Sequence, residues 1–385
     1  MKKLAIITSH PIQYNAPLFA LLHKRNNISI KVFYTWGEEV LRNKFDPGFG
    51  KNIEWDIPLL QGYDYCFVKN SAKNKGSHHY NGIENPSLIS EIIDWDPAVI
   101  LVYGWSFKSH LKVLRYYDKK IPVFFRGDSI PLRQKNLLRK KVRLLFLKWV
   151  YKNVDKALYV GTLNKNYFLD AGLGRDQLVL VPHAIDNDRF QANEKEYQIA
   201  AEKWKNELHI DLHQAGFLYA GKLDDNKNTE LLIEAFKEIG QKNSYLIIAG
   251  NGEMEDTLKA KATGFDNIHF LPFQNQSQMP ILLRMADVFV LPSKSETWGL
   301  AINEAMACSR AIIVSDGCGA AMDLVKPLIN GFIFNSNSVK DLSEKMLECI
   351  KDKEELMKMR QASFEIIKKW NFETDSIAIE NLMNS

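Results

Sequence analysis

The chain has 385 residues, 46% hydrophobic and 25% charged, proportions that exclude disordered, collagenous and fibrous proteins. At about 150 residues per domain, that length holds two to three domains. Fifty Lys and Arg against 46 Asp and Glu leave a net charge of +4, too little for a dedicated nucleic-acid binder, so any basic surface is local.

The N-terminal MKKLAIITSHPIQY reads as a first strand and not as a secretory leader, because Ser9, His10 and Gln13 interrupt its apolar run. Further apolar runs lie at 28–34, 98–103, 121–125, 157–160 and 178–182. Most are continuously apolar, as in parallel strands covered on both faces. Helical patterns near 12–25, 86–94, 106–118, 133–153 and 163–171 separate them. Two polar loops, about 37–56 and 70–86, exceed the usual connections of α/β units and read as substrate-facing loops. After one charged helix, NEKEYQIAAEKWKNEL, a second series of strands follows at 217–220, 245–249, 268–271, 288–291, 311–315 and 331–334. The expected architecture is α/β with two doubly wound, Rossmann-like domains, 1–185 and 186–365. A final helix within 366–385 is expected to pack back on the first domain. Such tandem domains turn the carboxyl ends of two parallel sheets toward one cleft, where ligands bind.

No stretch approaches the roughly 20 apolar residues of a membrane span. Cys66, Cys308, Cys318 and Cys349 form no CxxC pair, so neither a disulfide framework nor a zinc knuckle is expected, and a reducing cytosol fits.

The chemistry concentrates in LPSKSETWGLAINEAMACSRAIIVSDGCGA. A strand ends at Pro292, a polar loop carries Glu296, and Gly299 opens a helix holding Glu304. Free amides and positive dipole gather at a helix N-terminus and make it a phosphate site. Gly299 lets a phosphate approach, the amides of Leu300 and Ala301 can donate to it, and the flanking carboxylates suit sugar and ribose hydroxyls. Upstream, YAGKLDDNKN places Lys222 and Lys227 just after the first strand of the same domain, where two ammonium groups can reach a diphosphate. The ligand this set suits is a nucleotide sugar.

The span from Glu296 to Glu304, with AMACSRAIIVSDGCGA after it, resembles the EX7E signature of family 4 glycosyltransferases, which have the GT-B fold. YAGKLDDNKNTELLIEAF is similar to that family's donor-diphosphate segment, and AGNGE (249–253), HFLPF (269–273) and VPHAIDNDRF (181–190) match further landmarks. The resemblance implies that Lys222 and Lys227 take the donor phosphates, Glu304 the ribose and Glu296 the hydroxyls of the transferred sugar. Gly221, Gly250, Gly252, Pro272 and Phe273 join the donor-binding set. It also implies retention at the anomeric carbon. Lys222 stands where Arg is usual, turning a bidentate fork into a point charge. Ser309 replaces a common Gly.

The first domain departs further from the family. SHPIQYN stands where many members have a glycine pair, and Arg126 and Asp128 of VFFRGDS stand where many carry a His beside the reacting carbon. Arg126 is expected to face the anionic donor, and Asp128 to receive an acceptor hydroxyl or support charge on the sugar. The plainer alternative is an interior Arg–Asp pair fixing the loop. His10, Gln13, Tyr14 and Trp105 are expected to line the cleft on the acceptor side.

Two DxD strings, at 94–96 and 186–188, are misplaced for a metal diphosphate, and with two lysines and a helix end for the charge no essential metal or other cofactor is expected. Gly250 and Gly252 lack the third glycine of a dinucleotide fingerprint, and His78 and His79 lack spaced partners for a metal.

The expected function is transfer of a sugar from a nucleotide-sugar donor to a hydroxyl acceptor, which the family resemblance implies is a glycan or lipid-linked glycan in surface polysaccharide biosynthesis. The alternatives are a GT-B nucleotide-sugar 2-epimerase and a non-catalytic partner subunit. No nucleic acid is expected as a partner. From 133 to 152 the chain carries Arg133, Lys135, Arg139, Lys140, Lys141, Arg143, Lys148 and Lys152 and no acid. Leu138, Val142, Leu145 and Trp149 recur among them at helical spacing. One helix is therefore expected to bury that apolar stripe in the first domain and turn its basic face to an anionic membrane, giving a cytoplasmic enzyme peripheral to the inner face.

Overall fold

The structure, a computed structural model, describes residues 1–41, 45–46, 48–131, 137–240 and 243–384. In chain order the strands are β1 (Lys3–Thr8), β2 (Ser29–Tyr34), β3 (Phe45–Asp46), β4 (Lys51–Asn52), β5 (Tyr65–Phe67), β6 (Val99–Tyr103), β7 (Val123–Arg126), β8 (Lys156–Tyr159) and β9 (Leu178–Leu180). The second half adds β10 (Ala215–Ala220), β11 (Ser244–Ala249), β12 (Ile268–Leu271), β13 (Val288–Leu291), β14 (Ala311–Ser315) and β15 (Gly331–Phe334).

Two compact units result. The first comprises 1–44, 58–183 and 372–385, and the second 45–57 and 184–371. In the first unit a seven-stranded sheet runs β5-β2-β1-β6-β7-β8-β9, with every neighbouring pair parallel. Its strands are nearly all apolar because helices cover both faces; Ile7, Phe33, Val102, Phe125 and Phe168 belong to one buried cluster. The last helix, Phe372–Asn384, belongs to this unit. Arg25 holds it through Glu380, at 2.7 Å, and through Glu373, while Lys2 Nζ donates to the Met383 carbonyl at 2.6 Å. The preceding helix, Lys353–Ile367, stays in the second unit.

In the second unit a six-stranded parallel sheet runs β12-β11-β10-β13-β14-β15, with Phe217 opposite Val288 where β10 meets β13. The strand order reverses between β10 and β13, and ligands of doubly wound sheets bind beyond the carboxyl ends at such a switch point.

Two features depart from the sequence-based division. The short strand β5 was not expected, and 45–57, placed in the first domain by chain order, groups with the second unit around the antiparallel pair β3–β4. Strands of two or three residues are too short to show a period, and chain order does not reveal which body a loop packs on.

Candidate active site

The loops that leave β10 and β13 are tied together. Lys294 N donates to the Asn226 carbonyl at 2.8 Å, Asn226 Nδ2 to the Ser295 carbonyl at 2.8 Å, and Asn228 Nδ2 to the Pro292 carbonyl at 3.3 Å. The short turn Asp225–Lys227 is capped by Asp224, whose Oδ1 accepts from Lys227 N at 3.0 Å. This bracing aims Lys227 Nζ at Glu296, and the two form an ion pair with about a fifth of each side chain exposed. Glu296 is fixed from behind, since its N–H donates to the Gly317 carbonyl at 3.1 Å and its carbonyl accepts from Gly319 N at 3.0 Å.

Gly299 begins the helix Leu300–Ala307 at φ 98°, a conformation that disfavours any side chain. A Cβ there would also lie 2.8 Å from Leu291 Cδ2, 3.0 Å from Cys318 Sγ and 3.4 Å from Glu296 Cγ. Leu300 and Ala301 are half-buried, and their amides have no preceding turn to accept from them. Glu304, one turn further in, is only 2% exposed. Beside it Trp298 Nε1 donates to Asn303 Oδ1 at 3.0 Å, and the Trp298 ring packs on Trp370 with centroids 5.2 Å apart. A cation, a carboxylate and open helix amides therefore meet at the switch point, a set that can hold an anion and sugar hydroxyls together.

Lys222 stands apart from Lys227. Its Nζ lies 2.9 and 3.2 Å from the two carboxylate oxygens of Asp46. Burial opposes ionisation of Asp46, but Lys222 and the amides of Gly48 and Phe49 outweigh it and hold the carboxyl below its ordinary value. Gly221 and Gly250 meet backbone to backbone: at φ 149° a Cβ on Gly250 would lie 1.8 Å from the Gly221 carbonyl oxygen. A Cβ on Gly252 would lie 2.4 Å from the carbonyl oxygen of Leu223, whose N–H donates to the Asn251 carbonyl at 3.0 Å. These glycines thus join the loops after β10 and β11. Phe273, following Pro272 after β12, donates its N–H to Asn251 Oδ1 at 3.0 Å. Ser309 has φ 57°, the left-handed region in which a glycine is at ease.

In the first unit, Arg126 corrects the sequence-based reading. It is 5% exposed, and its Nη1 and Nη2 donate to the carbonyls of Val181 and Pro182 at 2.7 and 3.0 Å. Its carboxylate neighbour is Asp375 of the C-terminal helix, 3.8 Å away. Burial lifts the Asp375 carboxyl to about 7 while Arg126 pulls the other way. Arg126 is therefore an interior brace, with no face left for a donor. Asp128 follows it at the carboxyl end of β7, where its charge acts on His183. His183 belongs to the junction segment but was not singled out by its sequence. Burial, then Arg126, lowers it to about 4, with Asp128 opposing.

His10 follows β1, with Nδ1 2.9 Å from Ser9 Oγ and its ring edge-on to Trp36 at 5.1 Å. Burial, with His78 nearby, lowers it to about 4, so it is neutral at pH 7. Gln13 and Tyr14 are half-buried in the turn before the helix Ala16–Arg25. Trp105, after β6, donates its Nε1 hydrogen to Tyr151 at 3.1 Å and packs edge-on against Phe146. His10, Trp105, Asp128 and His183 thus all follow carboxyl ends of strands in one parallel sheet.

The helix Leu137–Tyr151 also reverses an expectation. Leu147, Val150 and Tyr151 face the core, while Leu138 and Leu145 are 72% and 68% exposed and Leu137, Val142, Phe146 and Trp149 are exposed as well. Arg139, Lys140, Lys141, Arg143, Lys148 and Lys152 are exposed around them; Arg133 and Lys135 lie outside the described residues. Helical spacing marks an apolar face without saying whether it turns inward. No helix among the described residues is long and apolar enough to cross a membrane.

Comparison with known proteins fits this geometry. The family described as glycosyl transferases group 1 matches residues 200–365. A Campylobacter jejuni N,N'-diacetylbacillosaminyl-diphospho-undecaprenol alpha-1,3-N-acetylgalactosaminyltransferase is 26% identical over 218 residues, 56% of each chain. An Escherichia coli UDP-Gal:alpha-D-GlcNAc-diphosphoundecaprenol alpha-1,3-galactosyltransferase is 28% identical over 185 residues, 46% of each chain. The alignments span about half the length of these curated relatives. Among solved structures, Anabaena HepE in complex with UDP and glucose superposes with a TM-score of 0.72 at 15% identity, covering 100% of both chains. The chain has the two-unit GT-B fold, and its residues 200–365 match the family of glycosyl transferases group 1.

Proposed function

We propose that this protein is a nucleotide-sugar-dependent glycosyltransferase that moves a sugar, with retention, onto a hydroxyl of a lipid-linked glycan at the inner face of a membrane. The observation that carries the reading is the meeting of Lys227, Glu296 and the first amides of the helix Leu300–Ala307 at the sheet's switch point. The diphosphate leaving group gains negative charge as the glycosidic bond breaks, and the ammonium and amides offer it preorganised stabilisation. Glu296 and Glu304 take hydroxyls of the sugar and the ribose. Asp128 and the neutral His10 serve the acceptor. Attack on the face the leaving group departs from, with the acceptor proton passing to the departing phosphate, accounts for retention. Two relatives, both named as acting on diphospho-undecaprenol-linked sugars, support the lipid-linked acceptor. The exposed apolar and basic helix Leu137–Tyr151 supports a membrane surface as the place of work.

The test is to incubate the protein with a panel of nucleotide sugars and a synthetic lipid-diphosphate glycan and to follow product by mass spectrometry. A glycosylated lipid is expected; an isomerised donor sugar formed without acceptor would replace this reading with the epimerase. With ammonium groups and amides to meet the leaving group, turnover is expected to be undiminished in EDTA. Loss in EDTA with recovery in magnesium or manganese would overturn the metal-free mechanism.

The Lys227–Glu296 pair separates phosphate from sugar recognition. Lys227→Ala is expected to weaken nucleoside diphosphate and nucleotide sugar alike, by roughly 5- to 10-fold. That is less than a charged hydrogen bond commands, because the lysine must leave Glu296 to reach phosphate. Glu296→Gln is expected to weaken the nucleotide sugar and spare the diphosphate. Calorimetric titration of both variants with both ligands checks this, and equal losses in Glu296→Gln would remove Glu296 from the sugar.

A further inference from the structure

The 45–57 segment leaves the chain between β2 and β5, strands of the first unit, and packs on the second. It touches the loops after three strands of the second sheet. After β10 it reaches Lys222 through Asp46, and the Lys222 ammonium also lies 5.1 Å over the Phe49 ring. After β11 it reaches Asn251, whose Oδ1 accepts from Lys51 Nζ at 2.9 Å. After β12 it reaches Phe273, packed edge-on to Phe49 at 4.8 Å and to Trp55 at 6.3 Å, with Lys51 Nζ 4.5 Å over its ring. Further on, Asn275 Nδ2 donates to the Glu54 carbonyl at 2.6 Å, and Ser277 N to Asp56 Oδ1 at 3.1 Å. The segment therefore covers the carboxyl-end loops to which the donor is assigned.

Asp46 is fixed for this position. Its Oδ1 accepts from Gly48 N at 2.8 Å and Phe49 N at 3.2 Å, so the turn points its carboxylate at Lys222. To an ammonium group, a carboxylate oxygen and a phosphate oxygen are partners of the same kind. We propose that the 45–57 segment is a built-in occupant of the donor site, in which Asp46 holds Lys222 until the donor diphosphate displaces it. Donor binding is then an exchange of one anion for another on the same lysine. The exchange presupposes the donor role of Lys222 given above. About a third of each side chain is exposed, 34% for Lys222 and 33% for Asp46, so the pair is screened and weak enough to be displaced.

Asp46→Asn tests this, because the amide oxygen still accepts from Gly48 and Phe49 while the charge is gone. Calorimetric titration with UDP and GDP in parallel is expected to show the variant binding whichever diphosphate the wild type takes roughly 2- to 5-fold more tightly. Hydrogen exchange in residues 48–57 of the wild type is expected to speed up when that diphosphate binds. Unchanged or weaker affinity in Asp46→Asn, or slower exchange of 48–57 on binding, overturns the proposal. Lys222→Ala separates this from the underlying reading. If it weakens the diphosphate and Asp46→Asn does not tighten it, the exchange alone is wrong. If it binds like the wild type, or if neither diphosphate binds the wild type, the donor role of Lys222 fails and the exchange with it.

Discussion

Glu304→Gln is expected to lower kcat/KM for the nucleotide-sugar donor by roughly 10- to 150-fold, the equivalent of losing one charge-assisted hydrogen bond of about 1.5–3 kcal/mol. Glu304 is 2% exposed, and a carboxylate is costly to bury unless it is hydrogen-bonded. It lies in the second turn of the helix that Gly299 opens, close in sequence to the amides assigned to the donor phosphates. Gln keeps the shape and one acceptor oxygen, so the helix stays packed while the charge that can accept from both hydroxyls of a ribose is lost. Steady-state kinetics paired with thermal unfolding check the claim: the rate constant falls while Tm moves by less than roughly 4 °C. Wild-type kinetics in Glu304→Gln would remove the residue from donor recognition. A large fall in Tm with unchanged donor affinity in the surviving fold would make it a packing residue.

The second large effect is expected at the membrane. The helix Leu137–Tyr151 exposes Leu138, Val142, Leu145 and Trp149 on one face, with Arg139, Lys140, Lys141 and Arg143 exposed beside them. Arg115 stacks over the Trp149 ring at 3.5 Å, adding a cation at the far end of that stripe. A solvated surface helix has no use for four large apolar side chains in a row, whereas an interfacial helix buries them among acyl chains and sets its cations on anionic headgroups. Each such cation contributes about 1 kcal/mol near an anionic leaflet. Replacing Arg139, Lys140, Lys141 and Arg143 by Ser is therefore expected to weaken binding to vesicles containing phosphatidylglycerol by roughly 100- to 1,000-fold. Wild-type binding is expected to fall steeply with salt. Replacing Leu138, Val142 and Leu145 by Ser is expected to abolish the remaining binding at high salt, a component that charge alone does not supply. Co-sedimentation with anionic and neutral vesicles reads both. Equal partitioning onto the two vesicle types, or none onto either at low salt, would remove the membrane from the function.

The alternation of apolar runs with helical spacing was enough for two parallel doubly wound sheets, because a strand buried on both faces must be apolar throughout, and twelve of the observed strands lie in such runs. Glu296, Gly299 and Glu304 were legible for the same local reason: a strand end, a glycine and a helix start follow one another within a few residues. Lys222 and Lys227 were legible as cations at a strand end. Their partners were not, for Asp46 and Glu296 reach them across long stretches of chain. Which carboxylate an ammonium meets is a property of the folded body. The same limit hid the brace between Arg126 and Asp375, and it hid the packing of 45–57 on the second unit. Along the helix Leu137–Tyr151 the period of the sequence fixes which residues share a face. Only the tertiary structure, by placing Leu147 and Val150 against the core, turns Leu138, Val142, Leu145 and Trp149 outward.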